Sequence, residues 1–473
     1  MYNLIIYLYL LGVAVYSRFN EKVRKMWRGE RDAFRVLREQ VEPGARYVWF
    51  HAASLGEFEQ GRPLMEQLRR EHPELKILLT FFSPSGYEVR KNYEGADIIC
   101  YLPLDTIRNA RRFLRLIRPE MAFFIKYEFW YNYLHILKQR NVPVYSVSSI
   151  FRDGQIFFRW YGRQYGRVLK CFTHFYVQNE KSRELLARLG ITNVTISGDT
   201  RFDRVLQIKE QAKVLPVVEE FLRAPLSPPE GGTIAPVPTS KTIEAPSGAV
   251  GGASASGAVG GASASGAVVG AKVFVAGSSW QPDEEIFIRY FREHPEWKLI
   301  IAPHVIGEDH LQQIEKLLEG FKITRYTKAH PSPSEGGTIA PAPTSKTIEA
   351  PSGAVGGASA LIIDCFGLLS SIYRYATVTY VGGGFGVGIH NTVEAAVWGA
   401  PVIFGPNNQR FQEAQELKQC GGGFEISSYE DFARLMDTLS TDSNALAAAG
   451  HSAGDYVRGK SGATRKILSD VMM

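Results

Sequence analysis

The sequence predicts a two-domain α/β protein with an apolar segment at its N-terminus, and three observations carry that prediction. Short apolar runs of strand length alternate with helical stretches along most of the chain. Two low-complexity segments interrupt the alternation and divide it into halves. The 473 residues, 45% of them hydrophobic, suffice for two or three packed cores.

From the start, Leu4-Ile5-Ile6, Leu8, Leu10-Leu11 and Val13-Ala14-Val15 lie in an uncharged run that ends at Tyr16. Arg18, Lys22, Arg24, Lys25, Arg28 and Arg31 follow, against Glu21 and Glu30, a charge order that keeps the next domain on the cytoplasmic side. A secretory signal has its basic residues first. Residues 1–20 therefore read as a membrane anchor, although the run falls short of the about 20 apolar residues a spanning helix needs. The alternative is a buried N-terminal core helix.

The first half, 21–222, carries strand-like runs at Tyr47-Val48-Trp49-Phe50, Ile77-Leu78-Leu79-Thr80, 121–125, 144–147 and Phe175-Tyr176-Val177, with helical stretches at 61–71 and 181–189. Residues 227–255 then recur as 332–360 with differences only at Pro229/Ser334 and Val237/Ala342, and the first copy runs on to Gly270. Rich in Gly, Ala, Ser and Pro, the segments 227–270 and 332–360 cannot bury enough surface to offset the entropy of ordering, and they read as disordered insertions. The second half, 271–473, resumes with Val273-Phe274-Val275, Leu299-Ile300-Ile301, Leu361-Ile362-Ile363, 378–381 and Val402-Ile403-Phe404. Such alternation implies parallel doubly wound sheets, which bind ligands beyond the carboxyl ends of their strands, and two of them would leave a cleft between domains.

The 54 Lys+Arg against 48 Asp+Glu give +6, a mild excess that suits an anionic surface. No basic arm with interleaved aromatics points to nucleic acid. Cys100, Cys171, Cys365 and Cys420 are far apart, which argues against a disulfide framework or a zinc site and for a reducing compartment. His51, His304, His310 and His390 lack metal-ligand spacing.

Two segments carry candidate chemistry. After the strand ending at Phe50 comes His51-Ala52-Ala53-Ser54-Leu55-Gly56-Glu57, which puts a carboxylate at a helix start. Ser54-x-x-Glu57 also fits a capping box, in which the two side chains satisfy each other's backbone donors. The second segment runs from Val381 through Gly382, Gly383, Gly384, Gly386 and Gly388 to Ile389, His390, Asn391 and Glu394. Glycines between strand and helix let amides approach an anion, and a helix N-terminus adds positive potential, so the loop reads as a phosphate site. Glu394 could accept from ribose hydroxyls, and Asn391-x-x-Glu394 equally fits a capping box. Ser278-Ser279-Trp280 and Pro303-His304 follow strands of the same half and would face the same crevice.

Together WFHAASLGE (49–57), YLPLD (101–105), KYEFW (126–130), SGDTRFD (197–203), AGSSWQPDEE (276–285), APH (302–304) and GIHNTVEAA followed by GAPVIFGP resemble the 3-deoxy-D-manno-octulosonic acid (Kdo) transferases. The resemblance spans both halves and leaves out only the two repeats. It implies two Rossmann-like domains with an interdomain cleft, the GT-B type glycosyltransferase architecture, with acceptor binding in the first domain and nucleotide-sugar binding in the second. It implies transfer of Kdo from CMP-Kdo to a lipid A precursor at the cytoplasmic face of the bacterial inner membrane, by direct displacement without a metal or other cofactor and without nucleic acid as partner. By similarity Glu57 is the general base. Ser278, Ser279, Gly384, His304, Ile389, His390, Asn391 and Glu394 bind the donor, and Ser54, Gly56, Lys126, Glu128 and Arg201 bind acceptor or support the base. The chain departs from the family pattern at Pro303-His304-Val305, where Pro-Arg-His is usual, at Lys126, where an acid is common, and at Tyr131, where proline is. Rival readings are another nucleotide-sugar enzyme of the same architecture, or a catalytically silent membrane scaffold.

Overall fold

A computed structural model describes residues 2–224, 271–329 and 358–472. The expected insertion 227–270 and residues 332–357 of the second repeat lie outside the described residues. Residues 358–360 do not: Ser359 and Ala360 open a buried strand. The repeat boundary at 360 therefore overreaches. Small residues that look like low-complexity sequence fit a central strand here because both its faces are covered.

The described chain forms two compact units, residues Met1–Gln207 with Val457–Met473, and Ile208–Tyr456. Both boundaries differ from those expected at 222 and 473: residues 208–222 belong to the second unit and 457–473 to the first. Helix Ala463–Met472 instead sets Ile467 and Leu468 among Phe58, Leu64 and Leu68 of the first unit. Asp203 fixes its start, accepting from the amides of Gly462 (2.6 Å) and Thr464 (2.7 Å). This satisfies orphan donors of the helix and places a negative charge at its positive end.

In the first unit, β1 (Tyr47–Ala52), β2 (Lys76–Phe81), β3 (Ile98–Tyr101), β4 (Met121–Ile125), β5 (Val144–Ser149), β6 (His174–Val177) and β7 (Val194–Ile196) pair in the order β3-β2-β1-β4-β5-β6-β7. Each described pairing is parallel. Strands covered on both faces by helices are apolar throughout, which is why Val48, Trp49 and Phe50 are all buried. In the second unit β8 (Lys272–Ser279), β9 (Trp297–Pro303), β10 (Lys322–Arg325), β11 (Ser359–Ile362), β12 (Val378–Val381), β13 (Val402–Phe404) and β14 (Gly423–Glu425) follow the order β10-β11-β9-β8-β12-β13-β14, also parallel. Chain direction across each sheet reverses once, between β1 and β4 in the first and between β8 and β12 in the second. Those switch points are where doubly wound sheets hold ligands.

The N-terminal reading needs correction. Residues Tyr2–Tyr16 are helical, but no helix among the described residues is long and apolar enough to cross a membrane. Fifteen residues rise about 22 Å, short of the roughly 30 Å hydrocarbon layer. The buried-helix alternative fails as well, since Leu4, Leu8 and Leu11 are 64%, 61% and 63% exposed. The helix instead rests on the first unit by one side. Tyr2 Oη donates to Asp105 Oδ2 (2.6 Å), the Tyr2 ring packs on Tyr131 and Tyr165, and Val13 packs with Met26 and Tyr101. Helix Glu21–Gln40, capped by Asn20, then carries Lys22, Arg24, Lys25, Arg28 and Arg31 on its exposed side.

Candidate active site

Glu57 stands in the first turn of helix Leu55–Glu71, just past the carboxyl end of β1. Its Oε2 accepts the amide of Ala53 at 2.6 Å, whereas Ser54, at the N-cap, makes no side-chain capping bond. The reciprocal capping box is not formed. Half of it survives, because the glutamate takes a backbone donor at the helix start while the serine hydroxyl makes no capping bond. Gly56 is exposed, and a Cβ there would meet open space, so nothing in the backbone demands glycine.

Burial pushes the Glu57 carboxyl up to about 7, with the negative charge of Glu128 adding to the rise; the backbone amides and Lys126 pull the other way. A carboxyl poised there exchanges a proton readily at neutral pH. Tyr127 joins the same group. Burial raises its pKa, and the charges of Arg152, Glu57, Arg201 and Asp199 act on it. Arg152 was not singled out from the sequence, where a lone arginine in a loop carries no signal.

Glu128 and Lys126 arrive from the neighbouring switch-point strand, β4. Lys126 has φ 63, a left-handed backbone uncommon for a residue with a side chain, and such strain collects where a side chain must be aimed. Glu128 Oε2 receives Trp130 Nε1 at 2.7 Å and lies 3.2 Å from His51 Nε2. Arg201 is paired with Asp199 (Nε to Oδ2, 2.8 Å), and Asp199 also accepts from Gln60 Nε2 at 3.0 Å, which ties the arginine to the helix bearing Glu57. The first-unit residues expected at a site are thus gathered around one switch point.

At the second switch point Ser278 has φ 53 and marks a bulge between β8 and β9. Ser279 is 0% exposed and its hydroxyl donates to Glu284 Oε1 (2.8 Å), so this side chain belongs to the scaffold. His304 is exposed and stacks on Trp280 (4.8 Å) and on His390 (4.4 Å), whose pKa is lowered by burial and then by His304. Asn391 Nδ2 donates to Glu394 Oε1 (2.9 Å) and Ser370 Oγ to Glu394 Oε2 (2.7 Å). Those bonds orient the carboxylate, and the expected capping box is absent, because the helix cap is Thr392.

The glycine loop has a different origin from the one its sequence suggested. The amides of Gly382, Gly386, Gly388 and His390 bond to carbonyls of Gly277, Gly383 and Gly382, and that of Gly383 to Asp283 Oδ2 (2.9 Å). A Cβ on Gly382 would strike the backbone of Ser278 and Ser279, and one on Gly384 the backbone of Gly405. Gly383 and Gly388 have φ of 93 and 111. Close approach and left-handed backbone therefore account for these glycines. The following helix, Val393–Ala396, is a single turn with little dipole to offer an anion. Ile389 is buried, which makes its side chain part of the core.

A family model described as 3-Deoxy-D-manno-octulosonic-acid transferase (kdotransferase) matches residues 22–204. The chain is 24% identical over 401 residues to the 3-deoxy-D-manno-octulosonic acid transferase of Aquifex aeolicus, covering 83% of this chain and 86% of that protein. It is 22% identical over 439 residues to the Haemophilus influenzae transferase of the same name, with 90% and 86% covered. Among solved structures, a UDP-GlcNAc 2-epimerase from Neisseria meningitidis shares the fold with TM-score 0.57 at 12% identity, over 90% of this chain and 99% of that one. With the Glu57 switch point lying inside the matched residues and both transferases aligning across most of their length, the chain is a glycosyltransferase similar to the 3-deoxy-D-manno-octulosonic acid transferases.

Proposed function

We propose that the protein transfers Kdo from CMP-Kdo to a hydroxyl of a lipid A precursor, with Glu57 as general base. The observation that carries this reading is the placement of Glu57 at the first switch point, with burial and the charge of Glu128 raising its carboxyl to about 7. In the proposed reaction the acceptor hydroxyl gives its proton to Glu57 as its oxygen attacks the anomeric carbon of Kdo, and the bond from that carbon to the CMP phosphate oxygen breaks. General-base assistance of this kind is worth about 10²–10⁴-fold. Lys126, Glu128 and Arg201, with Ser54 and Gly56, would form the acceptor side. On the donor side His304, His390, Asn391 and Glu394 would meet CMP-Kdo, with Ser278, Ser279, Gly384 and Ile389 shaping the backbone beneath them. The same proposal includes transfer without a metal ion. Incubating the full chain with CMP-Kdo and a tetra-acylated lipid A precursor tests it. A mass increase of whole Kdo units, undiminished by EDTA, is expected, and an unmodified acceptor overturns the reading.

The exposed apolar side of helix Tyr2–Tyr16 and the basic helix after it support attachment at the surface of the inner membrane, on its cytoplasmic face. An apolar helix lying in the interface adds to the attraction of each Lys or Arg for anionic lipid, about 1 kcal/mol per residue near the surface. Flotation with vesicles containing phosphatidylglycerol should carry the protein upward and should weaken in the variant Leu8→Glu/Leu11→Glu. Equal flotation of the two proteins would exclude the helix as the attachment.

A further inference from the structure

A chain of hydrogen bonds runs from β1 and β2 to the segment after β4, beneath the first switch point. His51, the fifth residue of β1, is 0% exposed. Parallel register sets it beside Thr80 of β2 and Phe124 of β4. Its Nδ1 lies 2.9 Å from Thr80 Oγ1 and its Nε2 3.2 Å from Glu128 Oε2. The ring is also held edge-on by Trp130 (5.1 Å).

The direction of this chain follows from its end. The indole of Trp49 can only donate, and its Nε1 meets Thr80 Oγ1 at 2.8 Å. Thr80 thus accepts from the indole, and because the carboxylate of Glu128 can only accept, His51 donates to it through Nε2 and takes the Thr80 proton at Nδ1, 2.9 Å away, in preference to the carbonyl of Phe50 at 3.3 Å. An accepting Nδ1 leaves the ring proton on Nε2, which donates to Glu128. Two N–H donors, from His51 and Trp130, then converge on one oxygen of Glu128.

We propose that His51 is a positioning residue which, oriented by Thr80 and Trp49, fixes the carboxylate of Glu128 beside the base Glu57. The inference rests on the reading of Glu57 as base. A histidine held only for packing would not need a polar partner at each nitrogen, and a buried imidazole is a costly way to fill space. The relay ends on the group whose charge, after burial, does most to raise the Glu57 carboxyl. Among the described residues, Lys126, Tyr127, Arg152, Arg201 and Asp199 also face Glu57 or its neighbours, and Tyr165 faces Glu128.

The test is the acidic limb of the kcat/KM profile against pH, which reports ionisation of the base. In His51→Leu the donor to Glu128 is gone, so the limb should move to lower pH by about one unit, in the direction of Glu128→Gln, and the double variant should move no further. His51→Gln, which can still present an N–H to Glu128, should bring the limb back towards the parent position. Should His51→Leu fail to fold, Thr80→Val keeps the shape, removes the hydroxyl that orients the ring, and should shift the limb in the same direction. An unmoved limb in a folded Leu or Val variant, or additive shifts in the double variant, overturns the proposal. Glu57→Gln separates the two ideas. If it retains turnover, the reading of the base fails, and if it loses turnover while the limb of His51→Leu stays in place, only the relay fails.

Discussion

The two switch points share a plan and differ in what they present. After β1 and β4 of the first unit come Glu57, Lys126 and Glu128, with the charges of the last two acting on the Glu57 carboxyl. After β8 and β12 of the second come Ser279 and a run of glycines whose polar groups largely bond to each other and to Asp283. The first gathers ionisable side chains around Glu57; the second is a hydrogen-bonded floor beside which His304, His390 and Glu394 lie. Equivalent positions in one topology can therefore present ionisable groups or a packed backbone, and their bonds decide which.

The largest expected effect breaks the first side of this comparison. Glu57→Gln should lower turnover at saturating donor by at least about 10²-fold, because an amide cannot take the acceptor's proton. Its carbonyl can still accept from Ala53, so the fold should persist. The pH dependence of stability gives a second readout. The folded carboxyl is raised to about 7 from its ordinary 4.5, so between those values the folded state binds more protons than the unfolded one. Stability contributed by the protonated form is full below about 4.5 and is lost as pH rises through 7. Glu57→Gln should flatten that decline in denaturant titrations between pH 5 and 8. A variant with parent turnover would remove Glu57 from the chemistry.

A smaller effect belongs to the second side. Gly384→Ala puts a methyl against the Gly405 backbone, and overpacking of this kind costs typically about 1–3 kcal/mol. Calorimetry should show a lower melting temperature for the second unit. Weaker CMP binding at an unchanged melting temperature would instead restore the view that this glycine exists for a phosphate.

That glycine shows why the sequence was legible in parts. The strands could be read because parallel strands buried on two faces are apolar at every position, as at Val48 to Phe50 and Leu299 to Ile301. The site segments could be read by their place after those strands. What the glycines do there could not, since Gly384 meets Gly405 only once β12 and β13 are aligned. His51 and Thr80, 29 residues apart, likewise become partners only through strand register. Ser359 and Ala360 hid inside a repeat whose composition matches a linker, although in this copy they begin β11. The final helix was misassigned because an amphipathic pattern says that a face is buried and leaves open against which unit.

The smallest expected effect sharpens the comparison, because Glu394 is the second unit's nearest counterpart to Glu57. Both oxygens of Glu394 already accept bonds, from Asn391 and Ser370. Those donors orient the carboxylate and leave further lone pairs for ribose hydroxyls, since a carboxylate offers about four acceptor sites. Glu394→Gln can keep its carbonyl towards Asn391 and turns the other position into a donor, so that the Ser370 hydroxyl loses its charged acceptor and must accept instead. One hydrogen bond to a charged group is worth about 1.5–3 kcal/mol, and rearrangement of the amide recovers part of it. CMP-Kdo binding should accordingly weaken by about tenfold, close to 1.4 kcal/mol, with kcat at saturating donor nearly unchanged. Such a split is the opposite of the one expected for Glu57→Gln. If Glu394→Gln lowers kcat and leaves donor affinity intact, the carboxylate acts on the reacting atoms, and the division between a reactive first unit and a shaping second unit fails.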